Sequence, residues 1–420
     1  MLDGVLRLAA QRGNESRRAK RHALEKIRVP SFFLLSIVLC FPGCDPVDSD
    51  ERIYGMGELI WSRDLANPSI IDITKPVIDG EVVYVVAGGE LLSLTLTDGA
   101  VRWKRPLTGL HFSQNMVHDA EVIYVVRQGA VEAYNKHDGS RRWQANDLFV
   151  PGRSVLTETE THIYPSETAG TVGRIRKLDG EVDQEILLTD LKPEGAQQNP
   201  GILMHTDDNY LYVPTSYYVP GAPNIGGNVL AYDATTGDFL WGYEVPTREV
   251  PIPGYPGQYF TRGVGADEGF VWRSFVIIQA TSMVIALDRF SGELRWQQLF
   301  EEEAGLWLGM ALANNVVYVG ATDGIVYALD PATGEILWES EEPGGGVITL
   351  LEVANGRIYF DTTTGRLAVL DASTGQVLWS GLPPDYESSG GYAEFLSPVA
   401  AYAGYMVNVG SHKIYCLAAR

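Results

Sequence analysis

Residues 326–338 read Val326-Tyr327-Ala328-Leu329-Asp330-Pro331-Ala332-Thr333-Gly334-Glu335-Ile336-Leu337-Trp338. Val326 and Ala328 alternate with Tyr327 and Leu329 at the period of two that a strand requires. Asp330 to Gly334 form a tight turn: Asp and Thr bond nearby backbone, and Gly334 is free to take positive φ. Ile336, Leu337 and Trp338 resume an apolar strand. Upstream, residues 316–319 make another strand, and residues 321–324 turn it into this one.

The stretch recurs along the chain. A Gly four residues before a Trp occurs at Gly57/Trp61, Gly99/Trp103, Gly139/Trp143, Gly237/Trp241, Gly292/Trp296, Gly334/Trp338 and Gly375/Trp379. A weaker copy has Gly180 with Gln184 in the Trp place. Successive spacings are 42, 40, 41, 57, 55, 42 and 41 residues. A period of about 41 is the length of one four-stranded propeller blade. The expected fold is therefore all-β: an eight-bladed β-propeller of four-stranded antiparallel blades over residues 57–420. Second strands are expected at 82–86, 122–126, 316–319 and 358–360, and third strands at 91–94, 130–134, 284–287 and 367–370.

The ends match. The first copy has only its last strand, at 58–65, and the last copy has strands at 405–409 and 413–417 but no Trp strand. The N-terminal strand should complete the last blade, which removes free sheet edges at the closure. The seven repeat Trp side chains (Trp61, Trp103, Trp143, Trp241, Trp296, Trp338 and Trp379) are expected to pack between blades as architecture. The copy at 155–190, with Arg174 in the Ala place, Arg176 in the Asp place and Gln184 in the Trp place, is expected to be the least stable blade.

The pattern Ala-x-Asp-x-x-x-Gly-x-x-x-Trp, at Ala231/Asp233/Gly237/Trp241, Ala286/Asp288/Gly292/Trp296 and Ala328/Asp330/Gly334/Trp338, resembles the repeat of pyrroloquinoline-quinone-type propellers. That repeat serves both quinoprotein dehydrogenases and non-enzymatic scaffolds, so it implies the fold and leaves the function open.

The chain carries a formal charge of −21. Residues 1–44 hold eight Lys/Arg and three Asp/Glu, which leaves the remainder at −26. Such a surface repels nucleic acid and favours basic partners. Residues 1–30 are polar and basic, and residues 32–41 form an apolar run too short to span a bilayer. Together with Pro42-Gly43-Cys44 they read as a signal peptide with a lipobox over 1–44, with Cys44 as the lipid attachment site. The translation start is expected downstream, near Leu24. Residues 45–56 begin with an acidic tether, which lacks the Gly and distal Glu of a calcium loop. Cys416 occupies the small-residue place of its repeat and is expected to be a buried, inert thiol.

Two insertions break the period, at 215–227 and 249–262. The first lengthens the turn between the second and third strands of one blade, and the second lies between that blade and the next. Turns of those two kinds open on the same face of a propeller, so the insertions should meet. A contact surface for a protein partner is expected there from Tyr217, Tyr218, Tyr255, Tyr259 and Phe260, with Trp307 added from the next interblade loop. An acidic rim on that face is expected from Glu301, Glu302, Glu303, Glu341, Glu342, Asp385 and Glu387.

No catalytic or metal site is expected. The seven His residues do not pair at metal-ligand spacing, and there is no CxxC, HExxH or Gly-x-Ser-x-Gly. No cofactor is assigned. Quinoprotein dehydrogenases resemble one another in a vicinal Cys pair beside the quinone, which this chain lacks. Eight blades, this repeat and a lipidated N-terminus resemble the propeller lipoprotein of the outer-membrane β-barrel assembly machinery. That resemblance implies a non-catalytic scaffold, a monomer within a larger complex, facing the periplasm from the outer membrane. Its implied partner is the barrel-inserting subunit. The alternatives are a quinone-dependent periplasmic dehydrogenase and a peptide- or carbohydrate-binding surface lipoprotein.

Overall fold

Four of the repeat turns are fastened in the same way. Asp330 Oδ1 accepts the amides of Ala332 at 2.7 Å and Thr333 at 3.2 Å. Asp233, Asp288 and Asp371 do the same in their turns. The Gly that follows takes positive φ, +75° at Gly334. The strands then fold back antiparallel in register, with a bulge that lets Trp338 pair with Ala328 and Ile336 with Leu329.

The computed structural model describes residues 55–420 except 70–73, 108–115, 128, 147–155, 166–169, 189–190, 192–196, 201–204, 207–208, 219–224, 247, 252–258, 263–265, 281–282, 301–305, 322, 348, 387–394 and 396. The segment expected as a signal peptide, Cys44 and residues 45–54 of the expected tether lie outside the described residues. Eight antiparallel sheets follow one another as blades 1 to 8. Blades 1 to 3 cover 77–106, 116–146 and 156–187; blades 4 to 7 cover 197–244, 266–299, 306–339 and 352–381. Blade 8 joins Ala400–Tyr402, Tyr405–Val409 and Lys413–Ala418 to the N-terminal strand Leu59–Asp64. Trp61 pairs with Cys416 and Ser62 with Tyr415. Among the described residues there is no helix.

The repeat Trp side chains join each blade to the next. Trp61 Nε1 donates to Leu96 O at 2.7 Å, Trp103 to Lys136 O at 2.8 Å, Trp143 to Lys177 O at 2.8 Å, Trp241 to Arg289 O at 3.0 Å and Trp296 to Pro331 O at 3.0 Å. Each acceptor directly follows the Asp place of the following blade. In two seams the same carbonyl also receives a second-strand Tyr: Tyr84 donates to Lys136 O and Tyr212 to Arg289 O. The indole also lies over the following blade's turn Gly. A Cβ on Gly139 would stand 2.5 Å from the Trp103 ring.

Blade 3, the weakest copy, keeps the joint by other means. Gln184 Nε2 donates to Thr236 O at 2.6 Å and lies over Gly237, so an amide fills the place of the indole. Arg174 pairs with Asp183 at 2.8 Å and Arg176 with Asp179 at 2.7 Å.

The core is the set of apolar layers between blades. Tyr212, Val229 and Trp241 of blade 4, for example, pack on Val276, Ile278 and Ile285 of blade 5. Full burial of each such aliphatic side chain stabilises by roughly 1.5–3 kcal/mol. Cys416 is fully buried in the closing layer, and burial pushes its thiol pKa up, as expected of an inert thiol.

Candidate interaction face

The first insertion is built into the sheet. Strands Tyr210–Tyr218 and Ile225–Asp233 have nine residues each, where most blades have about six, and they pair without interruption from Tyr210↔Asp233 to Tyr218↔Ile225. The innermost strand of blade 4 is correspondingly split. His205–Thr206 pairs with Tyr212 and Leu211, while Gln197–Pro200 pairs with the extension from Tyr218 to Thr215. The extension is thus three strands wide.

The second insertion forms its own hairpin, Arg248–Pro251 with Tyr259–Arg262, in which Val250 pairs with Phe260 and Pro251 with Tyr259. Strand Tyr259–Arg262 lies against Ile225–Asp233. The two insertions therefore meet, as their places in the repeat require.

The named aromatic residues are placed as follows. Tyr217 is 6% exposed and lies across Gly226, its strand partner; a Cβ there would stand 2.0 Å from the ring. Its hydroxyl reaches Glu244 Oε1 at 3.4 Å, and burial, with Glu244 beside it, raises its pKa. Tyr217 holds the extension together and offers a partner little surface, so the contact role expected of it is corrected. Tyr218 ends its strand; Tyr259 and Phe260 are on the added hairpin. Tyr255 is outside the described residues. Trp307 is not in an interblade loop: it belongs to Leu306–Ala313, the first strand of blade 6, whose register shifts between Leu306 and Met310. The bulge takes up the extra residues before the strand rejoins its partner.

The acidic rim is also only partly as expected. Glu341 and Glu342 are exposed, but Asp385 is tied into the last blade. Its carboxylate meets Lys413 Nζ at 2.9 Å, Tyr415 Oη at 2.8 Å and His412 Nε2 at 3.1 Å. Burial alone would raise its pKa; these three bonds outweigh it and hold the carboxyl at about 2. Glu301, Glu302, Glu303 and Glu387 lie outside the described residues. Ser411 Oγ also stands 3.0 Å from His412 Nδ1, which gives a Ser–His–Asp chain. A Thr161–His162–Asp183 chain repeats it in blade 3, and Asp385 is already matched by Lys413, so both chains read as hairpin fastenings.

The short inner strands line the centre of the ring. A recess of about 450 Å³ there is bounded by Lys75, Met116, His118, Glu158, Glu352 and Tyr402, among others. Lys75 of blade 1 pairs with Glu352 of blade 7 at 2.6 Å, past the small side chains of Ala400 and Ala401 in blade 8. Lys136 pairs with Asp79 at 2.8 Å and contacts His118 Nδ1 at 2.8 Å. These pairs were not anticipated from the sequence, since nothing in the spacing marks which residues of different blades come together. Among the described residues no three His, Cys, Asp or Glu side chains stand close enough to hold a metal ion.

Eight blades joined by Gly-x-x-x-Trp seams, with Asp four residues before the Gly in four of them and Gln184 in one Trp place, define a pyrroloquinoline-quinone-type repeat propeller. The family described as outer membrane protein assembly factor BamB matches residues 50–252 and 280–417, and the chain belongs to that family. The fold is similar to that of BamB from Moraxella catarrhalis, with a TM-score of 0.60 and 13% identity over 86% of this chain and 99% of that one. It is equally similar to a computationally designed protein, Ika8, with a TM-score of 0.62, 16% identity, and 87% and 100% of the two chains covered. A europium-containing methanol dehydrogenase gives a TM-score of 0.63 at 14% identity, covering 86% and 93%. A quinoprotein ethanol dehydrogenase from Pseudomonas aeruginosa is 29% identical over 137 residues, 30% of this chain. The chain spans about a fifth of that relative's length.

Proposed function

We propose that the protein is a non-catalytic envelope scaffold, anchored by lipid at Cys44 and tethered through residues 45–56, whose joined insertions dock a protein partner. The reading rests on one observation: the two long breaks in the 41-residue period, an extended blade 4 and a separate two-stranded hairpin ahead of blade 5, lie against each other. Loops held on a rigid ring are where a scaffold carries recognition. Tyr218, Tyr255, Tyr259 and Phe260 are the contact residues in this reading. Membership in the BamB family supports a partner in outer-membrane protein assembly, the barrel-inserting subunit first. The test is affinity capture from envelope extract with the wild type and with Tyr259→Ser/Phe260→Ser. Recovery of that subunit by the wild type and its loss with the double variant supports the reading. Equal recovery by both moves the contact elsewhere on the ring. Labelling with a palmitate analogue tests the anchor: label kept on Cys44→Ala would remove it.

The second reading, a quinone-dependent dehydrogenase, is favoured by the 29% identity to the Pseudomonas aeruginosa enzyme. Dye-linked alcohol oxidation by the purified protein with added quinone and calcium would establish it.

A further inference from the structure

Between Arg295 and Arg357 the chain carries ten Asp or Glu residues and no Lys, Arg or His. All of blade 6 lies inside that interval. Its outermost strand, Ile336–Glu339, bonds Val326–Leu329 on one side and has no strand partner on the other among the described residues. Ile336 is 38% exposed and Leu337 53%. Glu335 and Glu339 bracket them, Glu341 and Glu342 follow, and all four carboxylates are exposed. Trp338 is committed to the seam with blade 7, where it lies over Gly375.

The outer strands of blades 1, 2 and 5 carry cations at these positions, Arg102, Lys104 and Arg105, Arg141 and Arg142, and Arg295, whereas those of blades 3, 4 and 7 carry none. Lys and Arg on an open strand edge repel stray cationic strands and discourage pairing. Blade 6 has an edge of a single, negative sign with apolar side chains between the charges. Such an edge repels another acidic strand, including a second copy of itself. It attracts a strand of opposite sign.

We propose that the outer strand of blade 6 docks an extended basic protein segment in which Lys or Arg alternates with apolar side chains. The open edge supplies backbone hydrogen bonds; Leu337 and Glu339, two residues apart, share one face of the strand, so the segment's cationic side chains meet Glu339 there with their aliphatic stems along Leu337, and its apolar side chains turn to the opposite face, that of Trp338. The carboxylates select the sign and speed the encounter, so binding weakens as salt rises. This surface is on the wall of the ring, away from the insertions, and stands independently of the contact reading above.

The test uses the full chain and three fluorescein-labelled ten-residue peptides: alternating Lys-Val, Lys-Ser and Glu-Val. Fluorescence anisotropy is measured on the wild type, on Leu337→Ser, and on Glu335→Gln/Glu339→Gln/Glu341→Gln/Glu342→Gln. A Glu160→Gln/Glu185→Gln control changes exposed acids of blade 3. The Lys-Val peptide should bind saturably, weaken roughly tenfold with either blade 6 change, and be unaffected by the control. The idea is overturned if Lys-Val does not saturate, if Lys-Ser binds as well, or if the control loses as much as the blade 6 variants. Thermal unfolding of each variant confirms its fold; should Leu337→Ser unfold, the Gln set alone decides.

Discussion

The indole of Trp379 lies on Gly57, so close that a Cβ on Gly57 would stand 2.2 Å from the ring. The first turn Gly of the chain is thus the partner of its last repeat Trp. This contact repeats the Trp–Gly joint of the other seams, at the blade where the two ends of the chain meet. Beside it, Gly57 N donates to Ala418 O at 2.8 Å and Leu65 N to His412 O at 2.9 Å. Closure is therefore an ordinary seam with one strand supplied from the far end of the chain.

The seam makes two demands on its Gly, and they can be measured apart. Gly80 has φ +60° with nothing within 4 Å of a built Cβ, whereas Gly139 has φ +70° with Trp103 at 2.5 Å. Gly80→Ala should cost roughly 1 kcal/mol for the left-handed backbone alone. Gly139→Ala should cost clearly more, because the ring must also move. Denaturant unfolding of both variants checks this; equal losses would mean that the Trp–Gly contact contributes nothing.

The indole itself has two parts. Trp103 is 8% exposed and donates to Lys136 O at 2.8 Å. Trp103→Ala should destabilise by roughly 3–5 kcal/mol. Trp103→Phe keeps an aromatic ring but leaves the seam without that donor, so its loss should be intermediate. A Phe variant as unstable as Ala would show that the hydrogen bond, and not the buried area, dominates. Unfolding midpoints measured by tryptophan-independent circular dichroism separate the two.

The ring was legible in the sequence because one constraint was written eight times: a period near 41 survives the loss of any single residue, as Gln184 demonstrates. Ring closure was legible because the missing strand of the last copy appears in the first. Which groups touch was not. The Gly and Trp of one repeat are four residues apart, yet each packs against a different neighbouring blade. Tyr217 reads as a surface aromatic until Gly226 is seen opposite it, a fact of register and not of local pattern. Asp385 reads as one of several rim acids because its partners Lys413 and Tyr415 lie on another blade element.

The Asp385 knot predicts an acid-sensitive closure. Its carboxyl sits at about 2 in the folded chain, held there against burial by Lys413, Tyr415 and His412, while an unfolded Asp titrates near ~3.9. The folded state binds this proton more weakly. The contribution is therefore complete above about pH 4 and is lost as the pH falls toward 2. Asp385→Asn should lose roughly 1–3 kcal/mol at neutral pH. The gap from wild type should narrow as the pH is lowered through that window. Urea unfolding at pH 7, 4 and 3 is the measurement, and a gap that stays constant would mean Asp385 carries no charge-dependent stability.

Asp361 predicts the opposite slope. It is fully buried in blade 7, where Asn408 Nδ2 of blade 8 reaches both carboxyl oxygens at 3.1 Å and Thr349 Oγ1 reaches one at 3.4 Å. Burial pushes its pKa well above the usual carboxylate range; the Asn408 and Thr349 bonds pull the other way and do not prevail. The folded state holds this proton more tightly than the unfolded chain. Its contribution is complete below about pH 4 and is lost as the pH rises toward the folded value. Asp361→Asn keeps the size and can still accept from Asn408 while remaining neutral at every pH. The variant should match the wild type within about 1 kcal/mol near pH 4 and gain on it steadily toward pH 8. Paired unfolding curves at those two pH values decide the matter. A difference that does not change with pH would require Asp361 to carry the same charge in both states, and the buried proton at the seam of blades 7 and 8 would have to be given up.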